Sequence, residues 1–211
     1  VYNTVVSGTA ITATWGNQVR DQEVSVFASA AARDSAITSP VSGMYATTTD
    51  TGFLWRYNGS KWMRGPETVM KTADEQRAST TTLTNDAVLA ITGDANSKYA
   101  FTAYFLVIGT IAIGCKIGLT YPGDARADYG RTGQQTGGGG TFFNDSLQNA
   151  ASGSNGIFGS AGAGNFATVQ YHGMIAFVSA GTMNVQFAQG TSNASASWML
   201  QGSHIDYRQV A

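Results

Sequence analysis

Charge is scarce in this sequence. Aspartate, glutamate, lysine and arginine make up 12% of its 211 residues, against about 25% in an average soluble protein. Disorder does not explain the deficit, because 43% of the residues are apolar and 11% aromatic, enough apolar surface to offset the entropy of ordering a chain. A folded protein this poor in charge buries much of its surface, in its own core or against neighbouring subunits. The formal net charge of −1 excludes the broad basic surface that nucleic-acid binding requires. Cys115 is the single cysteine, which excludes an intrachain disulfide framework and leaves the redox compartment open. No apolar run reaches the roughly twenty residues of a membrane-spanning helix, so membrane insertion is not expected. The opening VYNTVVSG has neither a basic n-region nor an apolar h-region. No signal peptide is read there, and assembly in a cytoplasm is the default expectation.

Groups able to do chemistry are equally few. His172 and His204 sit in strand patterns with no Cys, Glu or Asp at metal-ligand spacing, and they read as hydrogen-bonded structural residues. Cys115 falls on the apolar face of a strand and reads as an inert core thiol. There is no G-x-S-x-G nucleophile elbow. The run Gly137 to Gly140 lacks the Gly-Lys-Ser/Thr ending that places lysine and magnesium on phosphates. Glycoside hydrolysis needs two carboxylates about 5–10 Å apart, yet Asp124, Asp128 and Asp145 are the sole acids between Asp94 and Asp206. Asp124 and Asp128 flank Arg126 as solvated turn residues, and their spacing matches no calcium loop. No catalytic residue, metal site or cofactor is expected.

What the chain does have is three stretches of different character. Residues 1–65 read as a small α/β module. Thr12 or Thr14 can cap a short helix on which Trp15 and Val19 share a face. Val24 and Val26 alternate with polar residues as a brief strand, and Ser29 opens a second helix, AAARDSAI, that ends before Pro40. Strands are expected near 43–47 and 53–57. Asn58-Gly59 supplies the backbone freedom of a tight hairpin turn among Trp55, Tyr57 and Trp62. A module this small has little core of its own and leans on a partner. Residues 66–82 are polar and read as a connector.

From 83 to 211 charge nearly disappears and strand signals dominate. In 111–121, Ile111, Ile113, Cys115, Ile117, Leu119 and Tyr121 occupy one face in strict alternation. In 98–108, Tyr99, Phe101, Phe105 and Val107 take one face while Tyr104, Leu106 and Ile108 take the other. A strand apolar on both sides is covered on both sides, so Tyr104, Leu106 and Ile108 are assigned to a subunit interface. Further strands are expected at 88–91, 128–131, 169–178, 183–189 and 197–204. Seven or eight short strands without a strong helix predict a mainly β protein whose head is an antiparallel β-sandwich of jelly-roll type. Residues 132–165 read as one long Gly/Ser/Asn-rich loop, a kind of segment that is usually functional or disordered. Its Phe142, Phe143, Ile157 and Phe158 require cover. The phenylalanines can stack on sugars or on a protein receptor, or they can plug a gap between subunits.

Two strings carry a family likeness. ITATWGNQVRDQEVSVFASAAARDSAITSPVSGMYATTTDTGFLWRYNGSKW, from Ile11 to Trp62, resembles the N-terminal modules of tail-fibre and minor tail proteins of bacteriophages, especially those of actinobacteria. TTLTNDAVLAI, NSKYAFTAYFLVIG, KIGLTYPGDA and VQFAQGTSNASASWMLQGSHI resemble the C-terminal head of trimeric tail fibres. The resemblance implies a non-enzymatic virion protein on the tail or capsid surface, a homotrimer with two further partners. The N-terminal module would dock on another virion structural protein, with Trp15, Trp55, Tyr57 and Trp62 as docking residues. The head would bind a host cell-surface component. The 132–165 segment lies outside the resemblance; it is favoured for this role, through Phe142, Phe143, Asn144, Asp145 and Phe158, because a loop on a rigid β scaffold can vary without disturbing the core. A capsid decoration or head-fibre protein is the alternative, and a glycan depolymerase the more distant one.

Overall fold

The computed structural model describes residues 12, 16, 24–109, 113–134, 142–159 and 167–211. The chain divides into two compact units, 1–65 and 66–211.

In the first unit, β1 (Ser25–Phe27) runs parallel to β2 (Tyr45–Thr48), which continues antiparallel into β3 (Leu54–Tyr57) and β4 (Trp62–Arg64). Between β1 and β2 lies α1 (Ala30–Ala36). Ser29 caps it as the sequence suggests, its Oγ accepting the Ala32 N–H at 3.2 Å, one of the first-turn donors without a helical partner. The β3–β4 turn has the expected residues but spans four positions. Asn58 Oδ1 accepts the N–H groups of both Ser60 and Lys61 at 2.9 Å, and Gly59 takes φ +101°. The Asn58 N–H still donates to the Lys61 carbonyl at 3.1 Å, and the Asn58 side chain replaces only the return bond from the Lys61 N–H.

The second unit contains the wound ribbon of a jelly roll. Its eight strands are β7 (Thr84–Gly93), β8 (Ser97–Ile108), β9 (Cys115–Thr120), β10 (Arg126–Gln134), β11 (Phe142–Ala150), β12 (Asn155–Phe158), β13 (Ala167–Phe177) and β14 (Gly181–Gln189). They pair first with last: β7 with β14, β8 with β13, β9 with β12, and β10 with β11. Folding that ribbon over gives one sheet ordered β12-β9-β14-β7 and a facing sheet β11-β10-β13-β8. This is how a jelly roll turns antiparallel pairing into two packed layers.

Alternation supplies the core. Tyr99, Phe101, Phe105 and Val107 of β8 face Cys115, Ile117 and Leu119 of β9 and Met183, Val185 and Phe187 of β14, all buried. Tyr171 crosses the layer: its hydroxyl donates to the Ile117 carbonyl at 2.9 Å, and its ring meets Phe105, Tyr129 and Phe158. The 111–121 alternation holds among the described residues, since Ile113 and Tyr121 are buried too, although the strand itself begins at Cys115.

Three expectations need correction. Residues 66–82 are not a spacer: β5 (Glu67–Met70) pairs with β16 (His204–Gln209), and β6 (Glu75–Arg77) pairs with β15 (Ser197–Met199). Both β15 and β16 border β8, so this strap widens the jelly-roll sheet. Its Lys71 and Glu75 are tied into the fold. Lys71, 2% exposed, bonds Glu75 at 2.8 Å and Asp86 at 2.6 Å, and Asp86 also accepts the Val88 and Leu89 N–H groups. The segment 132–165 is not one loop either, because β11 and β12 lie within it. Finally, 197–204 is two strands, split by a turn in which Gly202 takes φ +86°.

Candidate functional site

The aromatic residues assigned to docking are largely occupied within their own unit. Trp55 is 8% exposed, and its indole N–H donates to Thr48 Oγ1 at 3.1 Å. The Arg33 guanidinium lies 4.5 Å from the Trp55 ring and 4.6 Å from the Trp62 ring, while Asp34 accepts from its Nε and Nη2. Tyr57 and Trp62 pack edge to face at 5.4 Å, both half-buried. Trp55 is therefore core, and it can shape a docking surface only through the residues it supports. Trp15 lies outside the described residues.

The proposed receptor set does not converge on one surface. Phe158 is fully buried. A side chain at Gly133 or Gly156 would place its Cβ 2.7 or 2.8 Å from the Phe158 ring, so those glycines form the slot that receives it. Asp145 is half-buried and ion-paired with Arg131, itself 4% exposed and directly across the β10–β11 ladder. Among the described side chains of the set, Asn144 is the one that is exposed. The side chains of Phe142 and Phe143 lie outside the described residues. Phe158 and Asp145 serve the sandwich, which the sequence concealed because their partners lie on β10 and β13.

Tyr104, Leu106 and Ile108 are each half-buried on the outer face of the β8 sheet. Neighbours in the same chain cover part of them. Tyr104 stacks obliquely on His204 at 5.2 Å and accepts a bond from Gln170 Nε2 at 3.3 Å. His204 Nδ1 lies 2.9 Å from the Gly202 carbonyl and Nε2 3.8 Å from Asp206, whereas His172 is exposed.

Further along the same face, the surface opens into a groove of about 400 Å³ over β5, β16 and β8. Pro66, Thr68, Ala100, Thr102, Asp206 and Arg208 line it. Composition did not single these residues out, since each is ordinary alone. The signal was the pair of short side chains, Ala100 and Thr102, on an outward face otherwise made of Lys98, Tyr104, Leu106 and Ile108.

The remaining reactive groups are placed apart. Burial pushes the Cys115 thiol up to about 12, well away from a thiolate at neutral pH. Asp124 is held low mainly by Ser179, and Asp128 mainly by the Asn149 N–H with help from Arg126. Each of the three acids Asp124, Asp128 and Asp145 therefore has its own partner. Among the described residues, no group of three His, Cys, Asp or Glu is arranged to hold a metal ion.

No family model matches this chain, and no curated protein sequence matches it. Among solved structures it aligns with chains of infectious bursal disease virus. The Gx strain structure covers 73% of this chain and 39% of that one, at 11% identity and a TM-score of 0.31. The VP2 subviral particle covers 80% and 46%, at 7% identity and a TM-score of 0.19. This chain thus spans less than half the length of either, and scores this low do not establish a common fold. The jelly roll rests on the strand pairing above.

Proposed function

We infer that this chain is a non-enzymatic structural component of a bacteriophage particle, a short tail fibre or tail-tip appendage that forms a homotrimer. The 1–65 unit attaches it to another virion protein, and the jelly-roll unit displays a host-binding surface. The observation that carries this reading is the nested ribbon of β7 to β14 following a separate aromatic-rich unit, in the order the family-like strings occupy. Jelly rolls serve capsid, lectin and cupin proteins alike, so the fold supports display and the strings select the particle. The half-buried apolar strip Tyr104, Leu106 and Ile108 supports association, because it leaves apolar surface for a neighbour to cover.

Labelling purified particles with an antibody against the 66–211 unit tests the assignment. Label at the tail tip is expected. Label over the capsid shell would favour a decoration protein instead, and unlabelled particles would remove the chain from the virion.

A further inference from the structure

The groove over β5, β16 and β8 has chemistry that display alone does not use. Its floor is Ala100 and Thr102, adjacent outward positions on β8. His172 is registered beside Thr102, but its ring lies over Gly130 on the far side, so it leaves the floor open. Asp206 and Arg208 stand on β16 two residues apart, about 7 Å along a strand, and both are exposed. Thr68 fixes the carboxylate by donating to Asp206 Oδ1 at 2.5 Å. Arg208 forms no ion pair with another described residue.

The geometry points to this groove as a binding site for a neutral sugar ring, an inference that rests on reading the head as the host-binding part. The charges choose the ligand class. A simple anion is repelled by Asp206 and a simple cation by Arg208, while Glu67, which also lines the groove, accepts from the Tyr207 hydroxyl at 2.6 Å. A ring bearing neighbouring hydroxyls donates to the carboxylate and accepts from the guanidinium at once, as charge-assisted bonds. The Thr102 hydroxyl adds a donor and an acceptor, and the Thr68 hydroxyl, its proton given to Asp206, adds an acceptor, while Ala100 and Pro66 offer apolar contact to the C–H face. A volume of about 400 Å³ falls in the range of about 300–1,000 Å³ usual for small-ligand sites. The groove occupies the half of β8 away from Leu106 and Ile108, and Tyr104, stacked on His204, stands between it and those residues.

The full chain is titrated with methyl glycosides of neutral hexoses, with hexuronic acids and with free glycine, using saturation-transfer NMR and calorimetry. At least one neutral glycoside is expected to bind, and at least tenfold more weakly to Asp206→Asn and Ala100→Leu with thermal stability unchanged. If Ala100→Leu fails to fold, Arg208→Ala replaces it. No binding to the wild type, equal binding to the variants, or a preference for hexuronate or glycine each overturns the proposal. Antibody labelling of particles keeps the two readings apart. Labelled particles whose protein binds no glycoside refute the groove alone, whereas unlabelled particles refute the virion assignment while glycoside binding stands.

Discussion

Arg33 is a cation 3% exposed between two indoles, and Glu75 is a carboxylate committed to Lys71 and Arg77. In a chain with so few charges, these have become internal fasteners. Burial opposes ionisation of Glu75, but bonds from Lys71, Arg77 and the Ala87 N–H outweigh it and lower its pKa from 4.5 to about 2. A depressed folded-state value means that this contribution is complete above pH 4.5 and is lost as pH falls towards 2. Stability measured by urea unfolding should therefore decline across that window, and Glu75→Gln should flatten the decline. Asp86→Ala should be costlier, about 3–5 kcal/mol, because it leaves the buried Lys71 with Glu75 alone and takes the acceptor from the Val88 and Leu89 N–H groups. Phe158→Ala should also cost about 3–5 kcal/mol; a surface receptor contact would lose almost nothing, so one melting curve separates core from contact.

The β3–β4 turn and the outer strip of β8 carry the predictions about association. At φ +101° Gly59 could take a Cβ in ordinary contact with Ser42 at 3.7 Å, but its backbone is one that a β-branched residue does not adopt. Gly59→Val should destabilise the 1–65 unit by about 1–3 kcal/mol and reduce its incorporation into particles while the jelly roll stays folded. A normal complement of the variant in particles would remove the docking role from this turn. Leu106→Asp places a charge where a neighbouring copy would have to desolvate it. Light scattering should show dissociated chains, with circular dichroism confirming that the β signal survives. Unchanged assembly would mean that this face meets no subunit.

For the whole molecule, the nested pairing means that β7 and β14, or β8 and β13, meet only after the intervening chain has been brought round. Such topologies fold slowly because loop closure precedes the contacts that reward it. Refolding of the 66–211 unit should therefore occur in milliseconds to seconds or longer. The oligomer is read directly from mass in solution: a trimer is expected at micromolar concentration, and monomers alone would count against the fibre assignment.

Alternation is a local property, and it made β8, β13 and β14 readable within a few residues, along with the Ser29 cap and the core placement of Cys115. The mainly β class with a sandwich head followed from counting such segments. Partner choice is not local. The strap 66–82 looked like a spacer because its charges are usually solvated, yet Lys71 finds Asp86 on another strand. The glycines around 133 and 156 looked like loop chemistry, yet they make room for Phe158. The groove at Asp206 and Arg208 joins strands separated by more than a hundred residues. A sequence specifies which faces are apolar; which strands those faces meet is decided when the sheets close and every buried polar group must find a partner.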